Sequence, residues 1–203
     1  MPQLILFAAL AAVVLYQLYA VLGRRVGRQP EDDAAAKLAV GGVPTPDQLP
    51  REPTADEVSL SGLAAVKARD GGFDLPRFLA GARGAYETIV RDFASGDRDA
   101  LRRLLAPSVF QAFDGEIAAR EAAGRTETVE FLHKPRADLE KAEVTGDLAR
   151  LTVRFLAELR NRSKGPEGEG VEDRRTAELW TFERDFKSKD PNWTLVHVGA
   201  AEA

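Results

Sequence analysis

Between Asp74 and Phe93 the apolar side chains fall at Leu75, Phe78, Leu79, Ala82, Tyr86, Ile89, Val90 and Phe93. That i, i+3, i+4, i+7 spacing is one face of an amphipathic helix of about 20 residues. Pro76 lies in its first turn, where a missing N–H costs nothing, and Gly96 is placed to end it. Asp97 can then cap a second helix carrying Leu101, Leu104 and Leu105. Pro107 opens a third, with Val109, Phe110, Phe113 and Ile117 facing inward, and Gly124 stops it. On that helix Glu116 and Arg120 are spaced to pair at i, i+4. Upstream, Val58, Leu60, Leu63 and Val66 within the segment 57–69 predict a short amphipathic helix docked on the domain.

Past Gly124 the period changes to two. Leu151, Val153, Phe155, Ala157 and Leu159 alternate with Arg150, Thr152, Arg154, Glu158 and Arg160, the signature of an antiparallel strand with one dry face. Gly146-Asp147 reads as a hairpin turn joining it to a strand over 139–145. A shorter strand is expected over 128–133. The stretch 163–172 (SKGPEGEGVE), rich in glycine and charge, reads as an exposed loop. Strands follow at 176–186, with Trp180 and Phe182 on one face, and at 193–198, separated by a turn at Lys189-Asp190-Pro191-Asn192. Helices followed by strands imply an α+β domain, its helices packed on one face of an antiparallel sheet.

The first 58 residues follow neither pattern. From Leu4 to Leu22 there is no charge, and nineteen helical residues rise about 28 Å, close to the hydrocarbon thickness of a bilayer. Tyr16 and Tyr19 sit near the downstream end, where aromatic rings favour the headgroup level. Only Met1-Pro2-Gln3 precede the apolar run, without the basic residues that open a secretory signal, so an uncleaved transmembrane anchor over 1–23 is expected. Arg24, Arg25 and Arg28 follow it. Basic residues flanking a span stay on the cytoplasmic side, which puts the rest of the chain in the cytoplasm at a bacterial inner membrane and sets these arginines against anionic headgroups. Residues 24–58, with Pro30, Pro44, Pro46, Pro50 and Pro53 and a run of carboxylates, have the composition of a flexible acidic tether. The expected organisation is therefore anchor (1–23), linker (24–58) and α+β domain (59–203).

Composition narrows the chemistry. The 203 residues carry a net charge of −4, no cysteine and two histidines, His133 and His197. Thiol catalysis, disulfides and cysteine-bound metals are ruled out, and the histidines fall in no metal-spacing motif. No cofactor is expected. An acidic balance without a Gly-rich phosphate loop or a basic–aromatic array argues against nucleic acid as a partner.

Phe78, Gly81-Ala82, Ala85-Tyr86, Ile89-Val90 and Phe93, then Gly96-Asp97, Leu101, Leu104-Leu105, Val109, Phe113 and Ile117, form a further pattern with Trp180-Thr181-Phe182-Glu183-Arg184 and Asp190-Pro191-Asn192-Trp193. Over roughly 60–200 these residues resemble the domain of the mitochondrial import-motor membrane anchor, subunit forty-four of the inner-membrane translocase, and its alphaproteobacterial branch, the TimA-type adaptors. The resemblance implies a cone-shaped fold like that of nuclear transport factor two, with helices wrapped on a curved antiparallel sheet. It also implies a membrane-side adaptor for a protein client or complex rather than an enzyme. The mitochondrial member recruits a heat-shock chaperone and touches anionic lipid. This chain has an apolar segment in place of the long charged region that binds that chaperone, so the resemblance carries scaffolding over more directly than chaperone recruitment. The competing reading is a structural subunit of an envelope-spanning secretion channel of the type IV kind, which joins one span to the same cone and faces the periplasm.

Two groups of residues are candidate surfaces. Phe93, Phe110, Phe113, Phe155, Trp180 and Phe182 can wall an apolar pocket for a peptide segment or lipid tail, or simply form the core. Arg98, Arg102 and Arg103 cluster on one helix, as a solvated face or as a partner or lipid surface. Proton-transfer chemistry would need a carboxylate base and an oxyanion donor facing one pocket. Asp114 and Tyr86 are the residues available. Because Asp114 directly follows inward-facing Phe113, it is turned about 100° away on the helix, and no enzyme is expected.

Overall fold

A computed structural model describes residues 55–201. The proposed anchor, Arg24, Arg25, Arg28 and the linker as far as residue 54 lie outside the described residues. Four helices precede five strands: α1 (Ala55–Arg69), α2 (Leu75–Ser95), α3 (Arg98–Leu104), α4 (Pro107–Ala122), β1 (Thr126–Phe131), β2 (Arg136–Thr145), β3 (Leu148–Gly165), β4 (Gly168–Asp185) and β5 (Thr194–Ala200). Helix α1 begins at Ala55, inside the segment assigned to the linker. No described helix is long and apolar enough to cross a membrane.

Local chemistry sets the helix ends. The Asp74 carboxylate accepts from Arg77 N at 2.8 Å and caps α2. Gly96, at φ +78°, ends it in the left-handed conformation that a side chain would disfavour. Asp97 accepts from Ala100 N and caps α3. Arg120 does not pair with Glu116. Its guanidinium turns to the end of α2, donating to the carbonyls of Phe93 at 2.5 Å and Ala94 at 3.0 Å. It also pairs with Glu127 of β1 at 3.1 Å and lies over the Phe93 ring. The last carbonyls of a helix lack intrahelical donors, and an arginine fork on a buried helix end supplies them better than an exposed i, i+4 pair uses the same charge.

The sheet is antiparallel throughout. Strand β3 pairs with β4 along one edge, and with both β1 and β2 along the other; β5 pairs with β4. Register shifts at Leu139/Lys141 and Thr181/Phe182 mark bulges that bend the strands. The segment 163–172, expected to be a loop, is a continuous ladder closed by a two-residue turn at Pro166-Glu167 (Gly165↔Gly168). Backbone pairing needs no apolar alternation where both faces of a ribbon are wet, so side-chain pattern alone did not reveal it.

All four helices lie on the sheet face that carries Ala149, Leu151, Val153, Phe155, Ala157 and Leu159, each buried. These residues meet Ala82, Tyr86 and Ile89 of α2, Leu101 of α3, Ile117 of α4 and Val66 of α1. Gly62 of α1 lies so close to the Ala142 carbonyl that a Cβ there would collide with it. The opposite face is charged and cross-paired: Arg150 with Glu183, Arg154 with Glu140, Arg160 with Asp173 and Arg175 with Glu158.

The side chain of Arg120 is only 11% exposed. Truncating it strands two carbonyls and a carboxylate, and Arg120→Ala is expected to lower the unfolding free energy by about 2 kcal/mol. Arg102→Ala, which removes an exposed pair with Asp99, is expected to leave it nearly unchanged. Urea denaturation of the two variants measures both.

Candidate functional site

A concavity of about 820 Å³ opens between the first half of α2, the α1–α2 connection, the end of β4 and the turn leading into β5. Its apolar wall is an aromatic chain. Phe78 meets Trp193 at 4.9 Å between ring centroids, Phe73 at 5.9 Å and Phe182 at 6.1 Å, and Phe73 reaches Trp193 at 6.1 Å. Most of these contacts are edge-on, the arrangement favoured by the ring quadrupoles. Gly81, at the rim, leaves open space where a side chain would stand.

Polar groups frame this wall. Arg184 of β4 is held by Asp70 at 2.6 Å, each about one-fifth exposed, which ties the α1–α2 connection to the sheet. Trp193 is presented by a turn in which Asn192 N donates to the Asp190 carboxylate at 2.9 Å and Asp190 N donates to Ser188 Oγ at 3.1 Å. Arg77 and Arg103 border the cleft from α2 and α3. Among the described residues neither takes part in an ion pair. The cleft thus combines aromatic surface with two guanidinium groups outside any ion pair, Arg103 donating its Nε to the Asp99 carbonyl at 3.2 Å.

The residues read as pocket wall or core form part of the main core and do not line one pocket together. Phe155 and Trp180 are buried in the core, stacked on or against Tyr86 at 4.4 and 4.7 Å. Phe93 packs on Phe113 at 4.8 Å, and Phe110 lies under the Arg102 guanidinium. Phe182 alone of the six lines the cleft. The arginine cluster divides as well. Arg98 forks between Asp114 at 2.6 Å and Glu121 at 2.8 Å, ties that push its guanidinium further toward the charged form and hold Glu121 below the ordinary carboxylate range. Arg102 pairs with Asp99, and Arg103 faces the cleft.

Asp114 and Tyr86 are not brought together: the carboxylate is on Arg98, while the Tyr86 hydroxyl is 3.3 Å from Thr176 Oγ1. The carboxylate beside Tyr86 is instead that of half-buried Glu178. Alternation along β4 places Glu178 on the face of Trp180, so it was legible from the strand pattern. One Glu178 oxygen and Trp180 Nε1 are buried without a hydrogen-bond partner among the described residues. Burial raises the Glu178 pKa above the ordinary carboxylate value, against the lowering influence of Tyr86, Arg174 and Trp180. Burial, reinforced by Glu178, pushes the Tyr86 phenol up as well. Phe73 and the Asp70–Arg184 tie had no sequence signal, since the latter joins residues 114 positions apart. Among the described residues no cluster of three or more acidic or histidine side chains is arranged to hold a metal ion.

The raised pKa fixes a sign. The folded domain holds the Glu178 proton more tightly than the unfolded chain does, so this group favours folding fully below the unfolded value near 4.5, and that contribution is lost as pH rises through the folded value. Glu178→Gln keeps the shape without the charge. It is expected to raise Tm at pH 7–8 and to lose that advantage toward pH 4; a Tm difference independent of pH would contradict the assignment.

No curated protein matches the chain. Among solved structures, the intermembrane-space region of the chloroplast protein ARC6 aligns with a TM-score of 0.47 at 13% identity, over 62% of this chain and 97% of that one. Residues 59–200, from within α1 to the last residue of β5, match the family described as the Tim44-like domain. That match spans all five strands and every residue of the cleft, and the helices-on-sheet architecture is the one the sequence resemblance implied. The chain belongs to the Tim44-like domain family.

Proposed function

We propose that this chain is a membrane-anchored, non-enzymatic adaptor that uses the aromatic cleft to hold an apolar segment of a protein client or complex at the bacterial inner membrane. Family membership supports a scaffold or adaptor kind of role. The observation that carries the finer reading is the cleft itself. Phe73, Phe78 and Trp193 offer apolar surface that the fold leaves partly open to solvent, over a floor that includes the buried Phe182, with Arg77 and Arg103 at its border. Open aromatic surface bordered by cations suits a hydrophobic segment with acidic or headgroup flanks. The apolar run Leu4–Leu22 and the arginines at 24, 25 and 28 supply the anchor and its cytoplasmic orientation. Anionic lipid is then a second contact, at the arginine collar.

Two measurements test this reading. Carbonate extraction is expected to leave the full chain in the membrane pellet, with a C-terminal reporter active only in the cytoplasm. Release by carbonate would remove the anchor, and a periplasmic signal would favour the secretion-channel alternative. A photo-crosslinking residue at Phe73 or Trp193 is expected to capture a membrane protein, and Arg77→Glu with Arg103→Glu to reduce that capture several-fold. Capture of lipid alone would overturn the client reading.

A further inference from the structure

The backbone of β4 is paired on one side from end to end but on the other only in part. Its residues from Gly168 to Asp185 follow β3 without a register break. Strand β5 accompanies it only between Glu178 and Glu183, and Ala201 N donates to the Ala177 carbonyl at 3.0 Å just beyond. The stretch from Gly168 to Thr176 therefore presents an open sheet edge among the described residues. It contains no proline and no bulge, two of the devices that blunt an edge, and is guarded only by charges of both signs, Glu169, Glu172, Asp173, Arg174 and Arg175. The outer edge of β5, by contrast, is partly blocked, where Leu105 bridges Leu195 and Ala106 N donates to the Leu195 carbonyl.

The direction of the free groups follows from the Ala177 bond. Its carbonyl points away from β3, and backbone groups alternate along a strand, so Glu169, Val171, Asp173 and Arg175 aim N–H and C=O at the open edge. The side chains divide by the same alternation. Asp173 and Arg175, on the charged face, are already engaged by Arg160 and Glu158. Glu172 and Arg174, on the helix-covered face but beyond the helices, are exposed, and neither forms an ion pair among the described residues. One anion and one cation outside any ion pair thus flank Asp173 on a bare edge, the charge of Arg174 also being felt by Glu178 further along the same face.

This arrangement is self-complementary. When two copies pair antiparallel about a two-fold axis, opposed side chains share a face, so even-numbered residues meet only even-numbered ones. A register centred on Glu172 sets that carboxylate against its own copy, and one centred on Arg174 opposes two guanidinium groups. Centring on Asp173 opposes the two Asp173 carboxylates, each already neutralised by Arg160, and sets Glu172 against Arg174 twice. These are non-hydrogen-bonded positions, where cross-strand side chains approach closest, and about six backbone hydrogen bonds form around them. We propose that the open edge of β4 is a self-association surface, joining two copies antiparallel about Asp173 into one continuous sheet with reciprocal Glu172–Arg174 pairs. This inference is independent of what the cleft binds.

The absence of cysteine from the sequence makes the test direct. In membranes holding the full chain, Asp173→Cys places each thiol opposite its own copy, at about the 5.5 Å Cα separation a disulfide accepts. Mild oxidation is expected to give a species of twice the chain mass. Val171→Cys, offset from its copy by about 13 Å along the strand, is expected to give little. Adding Glu172→Arg or Arg174→Glu to Asp173→Cys should cut the yield about tenfold, because both opposed pairs become repulsive. Mixing those two variants, or placing both reversals in one chain, should restore it, and that rescue also shows that the variants fold. Equal crosslinking at 171 and 173, a disulfide to a different protein, or indifference to charge reversal would each overturn the proposal.

Discussion

The alternation of side chains along β3 is the constraint from which the domain is built. Its residues from Ala149 to Leu159 put every second side chain under the helices, while Arg150, Arg154 and Glu158 on the other face enter arginine–carboxylate pairs. A slip of one residue would expose Leu151, Val153 and Phe155 and bury Arg150, Arg154 and Glu158. Because β3 is the strand to which β1, β2 and β4 are all registered, its pattern also fixes theirs. Tyr86 stacks on Phe155, so even the placement of α2 is read off this strand.

On that frame the site is assembled by segments distant in the chain. The cleft draws Phe73 and Phe78 from one side of the fold and Phe182 and Trp193 from the other, and the Asp70–Arg184 pair closes the gap between them. Its aromatic wall belongs to the edge of the core. Apolar surface therefore stays accessible without a detached hydrophobic patch, and the cost of leaving it open is shared with the packing beneath it.

Features governed by near neighbours were legible in the sequence. The Asp97 cap, the Gly96 stop, Pro107 and the hairpin at Gly146 each follow from the chemistry of one or two residues. The stripe of α2 and the alternation of β3 follow from periodicity, and the helices-on-sheet class follows from both. Arg120 illustrates what was not legible. Its spacing to Glu116 suggested an exposed pair, but the orphan carbonyls at Phe93 and Ala94 lie 27 and 26 residues away and compete more strongly. The six aromatic residues read as pocket wall or core belong to the core; composition marks them as buried, yet only tertiary packing decides that Phe155 is sealed while Phe182 also borders a cleft. The far end of the β3–β4 hairpin was missed because its glycines and charges obscure a ladder held by backbone alone.

The order of elements has a consequence for synthesis. Helices α1 to α4 leave the ribosome before β1 to β5, and the apolar stripe of α2 gains its central partners, Phe155 of β3 and Trp180 of β4, only when those strands have emerged. From Ser95 to Asp185 roughly ninety residues must be added, which takes about 5–20 s at ordinary elongation rates. During that interval Ala82, Tyr86 and Ile89 have only the other helices and the first strands, such as Phe131 of β1 against Tyr86, to bury them, so the nascent helical half is a natural client for a holding factor at the exit tunnel.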